Sequence, residues 1–422
     1  MARVIYPYIQ LEPWETVPAD SPAGDAFGRQ RVSNPTGIFA YQHEYDEGEL
    51  QWEYSTVATG TYLHLPFESS VQFSVPSAGD YASKQTRQYY RYQPGKSQQI
   101  VLTGVLADGD MEIVLRSNTT GAPVDLVAPQ ANWNIDGFGD PGNPNNPSGL
   151  TIDFTKSQIF VIDLQWLGVG RVRVGFDVNG VLYYAHEFNN ANNLAVVYMK
   201  TANLPIRYET ENVGGVVSRG IGYYDDDNGI FFQQTAGTLT TMKGICTAIN
   251  SEGGVEIEHG YPFCADVGAT PIIAGNGTPT HIISIRPKDT FNGLVNRGRI
   301  LPTAYETYGQ ANPANWGLRY NGTITGGAWV SADPDSIVEY NITAAYTAGT
   351  GIPVECGYIP VSGSGNKARS GNRGGTQALF VNLPLTIDRA ASAGSGIPLT
   401  IFAQGMGGPS DVAAALAWLE FR

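Results

Sequence analysis

The segment from Val172 to Phe188, VRVGFDVNGVLYYAHEF, carries the clearest structural signal in the sequence. Its first seven residues alternate between apolar side chains and polar or small ones, which is the two-residue period of a half-buried strand. Asn179-Gly180 follows, and both residue types tolerate the positive φ values of a two-residue type I′ turn. Counting outward from the turn gives the cross-strand pairs, which are Val178 with Val181, Phe176 with Tyr183, Val174 with Ala185 and Arg173 with His186. The segment therefore predicts a β-hairpin in which the ring of Tyr184 covers Gly175 on the outer face.

The composition of the whole chain is also typical of β-rich proteins. Only 15% of the 422 residues are charged, and glycine (51) and proline (26) are abundant, as expected for many tight turns. Turn-forming pairs recur between apolar runs, namely Asp108-Gly109, Asp136-Gly137, Asn179-Gly180, Asn228-Gly229 and Asn321-Gly322. We therefore predict an all-β protein.

The spacing of the strand-like runs divides the chain into three parts. Residues 1–35 show neither helical nor strand periodicity and are expected to form an extended N-terminal arm. Residues 36–265 carry at least eight closely spaced strand-like runs, which predicts a jelly-roll-like β-sandwich. Residues 266–422 continue in the same way and predict a second, smaller β-sandwich. Its last segment, 409–422, favours a short helix slightly over a strand.

The predicted arm is rich in aromatic side chains, which a disordered tail usually lacks. An isolated extended segment cannot bury such rings within itself, so we expect the arm to pack on its own body or on a neighbouring subunit. The residues assigned to this assembly arm are Tyr6, Tyr8, Trp14, Phe27, Arg29 and Arg31. The two arginines are equally consistent with exposed residues at the start of the first strand.

The charge of the chain limits its partners. The net charge is −14 and the isoelectric point is about 4.8, which excludes a phosphate-binding surface for nucleic acid. The one compact basic segment, 362–375, is rich in glycine and serine and is predicted to be a mobile loop. No apolar run has the length of a signal peptide or a membrane span, so we expect synthesis in the cytoplasm without membrane insertion.

The patterns of the known catalytic motifs and metal sites are missing from the sequence, so we expect neither an enzyme nor a cofactor or metal. The acidic run 225–228 is interpreted as turn chemistry rather than a calcium loop. Two pairs of glutamates, Glu209 with Glu211 and Glu256 with Glu258, have the spacing of one strand face but are more typical of solvated faces. The cysteines Cys246, Cys264 and Cys356 are expected to be small buried side chains.

A milder hypothesis is contact with a glycan or a protein partner. Aromatic platforms beside amide and carboxylate groups bind sugars, and the long loop 132–149 and the hairpin supply both types. The candidate contact residues are Trp133, Asp136, Phe138, Arg173, Tyr184 and His186. The alternative interpretation is structural: Trp133 then anchors the loop to the sandwich, and Tyr184 covers Gly175.

Five stretches together resemble one protein family. They are AFGRQRVSNPTGIFAYQHEYD (26–46), TRQYYRYQPGKSQQIVLTG (86–104), WNIDGFG (133–139), IDFTKSQIFVIDLQWLGVGRVRVGF (152–176) and YMKTANLPIRYE (198–209). In this order they resemble structural virion proteins of tailed bacteriophages and related viruses, over roughly residues 25 to 260. Separately, GRVRVGFDVNGVLYY is similar to the strand–turn–strand unit of concanavalin-type jelly rolls.

The resemblance implies a non-enzymatic virion component of the tail, a fibre or the capsid exterior. Such a protein is made in the host cytoplasm, assembles with copies of itself and other virion proteins, and sometimes contacts the host surface. Two rival hypotheses belong to other classes: a polysaccharide depolymerase and a free lectin-like binding module. A depolymerase would release reducing ends from host glycans, and a lectin would be a monomer that a sugar saturates.

Overall fold

The computed structural model describes residue 25 and residues 35–107, 109–236, 239–254, 260–360, 368–371 and 396–422. Of Ala236 and of residues 368–371 it describes the backbone only. The predicted arm residues Tyr6, Tyr8, Trp14, Phe27, Arg29 and Arg31 lie outside the described residues, as do Glu256 and Glu258. The predictions made for them therefore stay predictions.

The described residues form two compact units. Unit 1 extends to residue 254 and unit 2 begins at residue 260, with Arg87–Tyr89 grouped with unit 2. The boundary predicted after residue 265 was therefore too late. The physical reason is the strand Tyr261–Asp266, which pairs with Ser410–Phe421 of unit 2.

Unit 1 consists of strands, turns and two single-turn 3₁₀ helices, Pro66–Glu68 and Gln130–Asn132. Its strands are β1 (Thr36–Gln42), β2 (Trp52–Val57), β3 (Thr61–Leu65), β4 (Ser70–Ser74), β5 (Tyr81–Thr86), β6 (Ser97–Val105), β7 (Met111–Ser117), β8 (Val124–Pro129), β9 (Gln158–Leu164), β10 (Val172–Val178), β11 (Val181–Phe188), β12 (Ile206–Val213), β13 (Val216–Tyr224), β14 (Gly229–Ala236) and β15 (Thr241–Glu252).

These strands form two antiparallel sheets. One is 8-stranded in the order β11-β10-β9-β6-β15-β4-β3, with β1 also paired to β15. The other is 7-stranded in the order β2-β5-β12-β13-β14-β7-β8. The chain passes repeatedly from one sheet to the other, and one continuous apolar core fills unit 1. This is the predicted jelly-roll-like sandwich.

A lysine lies within this core. Lys84 on β5 is fully buried, and its Nζ lies 4.4 Å from the ring centroid of Trp52 and 4.3 Å from that of Tyr208. The same nitrogen also lies 2.6 Å from Nε2 of His43. Burial in this aromatic surrounding holds the pKa of Lys84 well below its usual range and lowers the pKa of His43 to about 3.

Unit 2 contains the remaining strands, which are shorter on average. They are β16 (Tyr261–Asp266), β17 (Ile272–Ala274), β18 (Thr280–Pro287), β19 (Thr290–Phe291), β20 (Leu294–Val295), β21 (Arg299–Gln310), β22 (Ala314–Tyr320), β23 (Ile324–Thr325), β24 (Val330–Ser331), β25 (Val338–Asn341), β26 (Ala345–Tyr346), β27 (Ile352–Ile359), β28 (Ala368–Gly371), β29 (Leu399–Gly405) and β30 (Ser410–Phe421).

Two larger sheets enclose a separate core in unit 2. The 5-stranded sheet has the order β16-β30-β21-β28, with β17 also on β30, and the 6-stranded sheet has the order β24-β25-β18-β29-β22-β27. The pairs β19-β20 and β23-β26 form two small additional sheets. Unit 2 is thus a second β-sandwich, and the predicted all-β fold class is confirmed.

Two local predictions for unit 2 were wrong. The segment 409–422 forms the long strand β30 rather than a helix, because its alternate residues are buried between flanking strands. Part of the basic segment 362–375 is also a strand, since the backbone of Ala368–Gly371 pairs with Glu306–Gly309. Over the described residues, no helix combines the length and apolarity needed to span a bilayer.

Candidate functional site

The six residues predicted to contact a glycan or partner lie on two neighbouring segments of unit 1. Five of them are buried, with 2% of Trp133, 2% of Asp136, 1% of Phe138, 0% of Arg173 and 3% of Tyr184 exposed. Only His186 is partly exposed. These side chains therefore do not form an exposed surface platform, and the contacts that bury them explain why.

The aromatic residues of the loop 132–149 point into the core. The ring of Trp133 lies 6.3 Å from that of Phe138 and 6.0 Å from that of Phe176 on β10. The indole N–H of Trp133 donates to the carbonyl oxygen of Ala128 at 3.1 Å. Trp133 therefore anchors the loop, as in the structural alternative, and Phe138 is a second anchor.

Asp136 shapes the same loop from within. Its Oδ1 accepts from the N–H of Phe138 at 2.8 Å, and its Oδ2 accepts from the N–H of Ser148 at 3.0 Å. The N–H of Asp136 donates to the carbonyl oxygen of Ala185 on β11 at 3.0 Å. These bonds hold Phe138 at a φ of 51°, a conformation that needs such support in a bulky residue.

Arg173 and Tyr184 belong to a buried polar cluster on the hairpin. A β-bulge between Val174 and Gly175 shifts the predicted register, so that Val174 pairs with His186 and Arg173 with Glu187. An Nη2 atom of Arg173 and the hydroxyl of Tyr184 each lie 2.6 Å from Oδ2 of Asp163 on β9.

The bulge also changes the role of Gly175. A Cβ atom at this position would lie 2.1 Å from the carbonyl oxygen of Tyr183, so the glycine is required by close backbone approach. The guanidinium carbon of Arg173 lies 4.2 Å from the centre of the Tyr184 ring. Gly175 and Tyr184 pair as predicted, and the ring of Tyr184 makes this cation–π contact.

His186 joins the hairpin to the loop. Its Nδ1 accepts from the N–H of Asn134 at 3.2 Å, and Asn134 in turn exchanges hydrogen bonds with the backbone of Glu187 at 2.9 and 3.0 Å. Burial lowers the pKa of His186 to about 4, so the ring is neutral near pH 7 and can accept this bond. Its position is structural as well.

The acidic candidates for catalysis or metal binding hold turns, pair with neighbouring side chains, face solvent as Glu211 does, or lie outside the described residues. Oδ1 of Asp225 accepts from the N–H groups of Asp227 and Asn228 at 2.9 Å each, which confirms the turn interpretation. Oε2 of Glu209 lies 3.5 Å from Arg207 and 3.3 Å from the Tyr81 hydroxyl. Within the part of the chain that the structure describes, no group of three or more His, Cys, Asp and Glu side chains forms a metal site.

The prediction of three buried cysteines was wrong, because none of the three is fully buried. Cys264 and Cys356 are exposed on β16 and β27, and Cys246 on β15 is half-buried. The two exposed cysteines lie on edge strands of their sheets, where one strand face meets solvent.

An exposed apolar edge strand was not anticipated. β8 ends the 7-stranded sheet, and Val124, Leu126 and Val127 are 57%, 57% and 42% exposed. Its one charged residue, Asp125, forms a two-pronged ion pair with Arg116 on β7, with distances of 2.8 and 2.9 Å. Natural edge strands usually carry unpaired charges that prevent association, and this one has its charge neutralised.

A cavity beside the loop 132–149 was also missed. It has a volume of about 360 Å³ and lies against residues 151–154, which lead into β9. Its lining residues are Gly109, Gln130, Phe138, Gly139, Asp140, Pro141, Thr151, Ile152, Asp153 and Phe154. Asp-Pro-Gly at 140–142 and Asp-Phe-Thr at 153–155 are turn sequences, and nothing local in them shows that they meet.

Comparison with known proteins identifies no family. No family model matches the chain, and no curated protein matches it. Solved structures give distant likenesses, of which three illustrate the range.

One is a protein of unknown function with a galectin-like fold from Bacillus subtilis, at 9% identity and a TM-score of 0.18, covering 52% of this chain and 98% of that chain. Another is a lectin from Bauhinia forficata in complex with GalNAc, at 12% identity and a TM-score of 0.19, covering 50% of this chain and 97% of the lectin chain. The third is the N-terminal CBM22-1-CBM22-2 tandem domain from Paenibacillus barcinonensis Xyn10C, at 8% identity and a TM-score of 0.20, covering 92% of this chain and 99% of the tandem domain. At this level the likeness extends no further than β-sandwich architecture.

Proposed function

We propose that the chain is a non-enzymatic structural protein of a bacteriophage virion, made in the host cytoplasm and built into the tail, a fibre or the capsid exterior. It assembles with copies of itself and with other virion proteins, and it contacts a glycan of the host surface. The virion assignment is supported by the motifs of residues 26–209 that resemble phage structural proteins. The single structural observation that carries the assembly role is the exposed apolar edge strand β8.

Strand β8 is suited to pairing with a second strand. An edge strand presents backbone N–H and C=O groups that another chain can satisfy, and the neutralised Asp125 removes the usual electrostatic barrier. Two copies of β8 can meet antiparallel about a two-fold axis, which is the commonest symmetry of soluble oligomers. The exposed side chains of Val124, Leu126 and Val127 would then leave water at the same contact.

The N-terminal arm remains part of this proposal. The sequence is compatible with packing of the arm on its own body or on a neighbouring subunit. In the proposed assembly the neighbouring subunit is the one contacted, by Tyr6, Tyr8, Trp14, Phe27, Arg29 and Arg31. The contributions of the arm and of β8 to assembly can be tested separately, because residues 1–35 can be deleted without changing β8 and β8 can be altered without changing the arm.

The test is the native mass of the purified protein in four forms. These are the full-length chain, a version lacking residues 1–35, the variant Leu126→Lys, and the control Val213→Lys. Val213 is 60% exposed beside the β12–β13 turn, so its replacement adds the same charge away from β8. We expect a defined oligomer for the full-length chain and the control, and a dissociation constant at least tenfold higher for Leu126→Lys.

Other results would contradict parts of the proposal. A full-length protein that is a stable monomer at high concentration removes the self-assembly role, and leaves a subunit held by other virion proteins or the glycan-binding and glycan-cleaving rivals. Release of reducing ends from host polysaccharide by the purified protein would instead establish the depolymerase.

A further inference from the structure

The cavity beside the loop 132–149 is built on a rigid frame. The side-chain amide of Asn143 donates to the carbonyl oxygens of Gln130 and Trp133 at 3.0 and 2.9 Å, and the amide of Gln130 donates to the carbonyl oxygen of Gly137 at 3.0 Å. Asn143 and Gln130 are both buried. The wall of the cavity is therefore held in place before any ligand arrives, which lowers the entropic cost of binding.

The inner surface of the cavity is apolar. Phe138 and Phe154 contribute buried rings that pack against Phe176, at 5.3 and 5.8 Å between ring centres. Ile152 and Pro141 are more exposed members of the same lining. This surface suits the C–H face of a small ligand.

The lining also contains two carboxylates. Oδ1 of Asp140 accepts from the N–H of Gly142 at 2.6 Å, and Oδ1 of Asp153 accepts from the N–H of Thr155 at 3.0 Å. Each carboxylate thus uses one oxygen to hold its own turn and keeps Oδ2 as a further acceptor. Oδ2 of Asp153 lies 4.0 Å from Nζ of Lys156, a distance too long for a hydrogen bond.

Charge and size narrow the class of ligand. Two carboxylates in one small cavity repel phosphates, sulfates and acidic sugars, and they accept hydrogen bonds from vicinal hydroxyl groups. The hydrogen bonds from Thr155 lower the pKa of Asp153, so its carboxylate is ionised at neutral pH. A volume of about 360 Å³ lies at the lower end of the usual range for ligand pockets, roughly 300 to 1,000 Å³, which fits one sugar ring better than an extended chain.

We propose that this cavity binds a single uncharged pyranose unit of a host-surface glycan. Asp140 and Asp153 accept hydrogen bonds from its hydroxyl groups, and Ile152 and Pro141, the more exposed apolar members of the lining, contact its apolar face. The inference rests on the host-contact part of the proposed function and gives that contact a place and a ligand class.

The experiment is saturation-transfer NMR on the full-length protein with four probes. Three are neutral, methyl α-D-mannopyranoside, methyl β-D-galactopyranoside and N-acetyl-D-glucosamine, and the fourth is anionic D-galacturonic acid. We expect at least one neutral probe to bind with a dissociation constant of about 1 to 10 mM, and the anionic probe not to bind. The variants Asp140→Asn and Asp153→Asn keep an oxygen for their turns and should each weaken binding at least tenfold.

The control is Asp177→Asn, which makes the same change at a carboxylate that caps the hairpin turn through the N–H of Gly180. It should bind as the unchanged protein does. The cavity assignment fails if no neutral probe binds at about 10 mM, or if the two cavity variants bind as tightly as the control.

The native masses of the same samples separate this failure from failure of assembly. A defined oligomer that binds no sugar refutes sugar binding in the cavity and leaves the assembly role in place. A monomer that binds sugar refutes self-assembly and leaves sugar binding in the cavity in place.

Discussion

Replacing Trp133 by alanine tests whether the long loop is anchored in the core or presents an aromatic platform. The side chain is 2% exposed, and a buried tryptophan removes roughly 200 Å² of largely apolar surface from water. At about 25 cal/mol per Å² this surface corresponds to about 5 kcal/mol. Large-to-small replacements of buried tryptophan generally cost about 3 to 5 kcal/mol, so we expect Trp133→Ala to lower the free energy of unfolding by about 4 kcal/mol.

The graded variant Trp133→Phe isolates the polar part of the anchor. It keeps an aromatic ring near Phe138 and Phe176 but loses the N–H bond to Ala128, so its expected cost is about 1 to 2 kcal/mol. Urea denaturation followed by circular dichroism measures both values. A cost below about 1 kcal/mol for Trp133→Ala, together with lost sugar binding, would refute the anchor and restore the platform.

Three further outcomes follow from buried or exposed side chains. Burial lowers the pKa of His281 to about 4, so the unfolded state binds more protons than the folded state between pH 4 and 6.5. The free energy of unfolding of unit 2 should therefore fall by up to about 3 kcal/mol as the pH drops through that window, and by less in His281→Gln. Urea titrations at a series of acidic pH values measure the difference. Because the pKa of Lys84 is lowered in the folded state, the unfolded state binds more protons until the pH approaches 10. The free energy of unfolding should therefore rise between pH 7 and pH 9.5 in the unchanged protein but not in Lys84→Met, as urea denaturation at the two pH values would show. The exposed Cys264 and Cys356 should react rapidly with a thiol reagent. Cys246 should react slowly, because it is half-buried and burial raises its pKa. Equal reaction rates for the three cysteines would contradict these differences in exposure.

Much of the fold could be predicted from local pattern. The Asn179-Gly180 turn sets the pairs next to it as expected, with Val178 opposite Val181 and Phe176 opposite Tyr183. The prediction failed one step further along the hairpin, at the bulge after Val174. The bulge accompanies the buried Arg173–Asp163 ion pair, and Asp163 lies on another strand that the hairpin sequence does not contain.

The C-terminal strand shows the limit of intrinsic propensity. The segment Ser410–Phe421 is rich in alanine, which favours a helix, yet Val412, Leu416 and Trp418 also fit a two-residue period. Its neighbours β16 and β21 decide the outcome, because pairing on both sides satisfies the backbone and buries one face. The sequence of residues 410–421 alone does not determine that these two strands flank it.

The candidate site was less predictable than the fold. The sequence identified the loop 132–149 and its aromatic residues, but their burial depends on Phe176, more than thirty residues further along the chain. Asp140 and Asp153 meet in one cavity only because the loop folds back on itself. The exposure of Leu126 likewise depends on β8 being the last strand of its sheet, which is a property of topology rather than of local sequence.

The central position of β30 has a consequence for synthesis on the ribosome. β16 and β21 are both translated well before their shared neighbour, and β16 precedes β30 by about 150 residues. At roughly 5 to 20 residues per second, the nascent chain carries β16 for roughly 8 to 30 seconds without its native partner. Unit 1 has all of its strands once β15 emerges and can fold during that interval. Unit 2 must wait for β30, and that delay is when incorrect strand pairing between nascent chains is most probable.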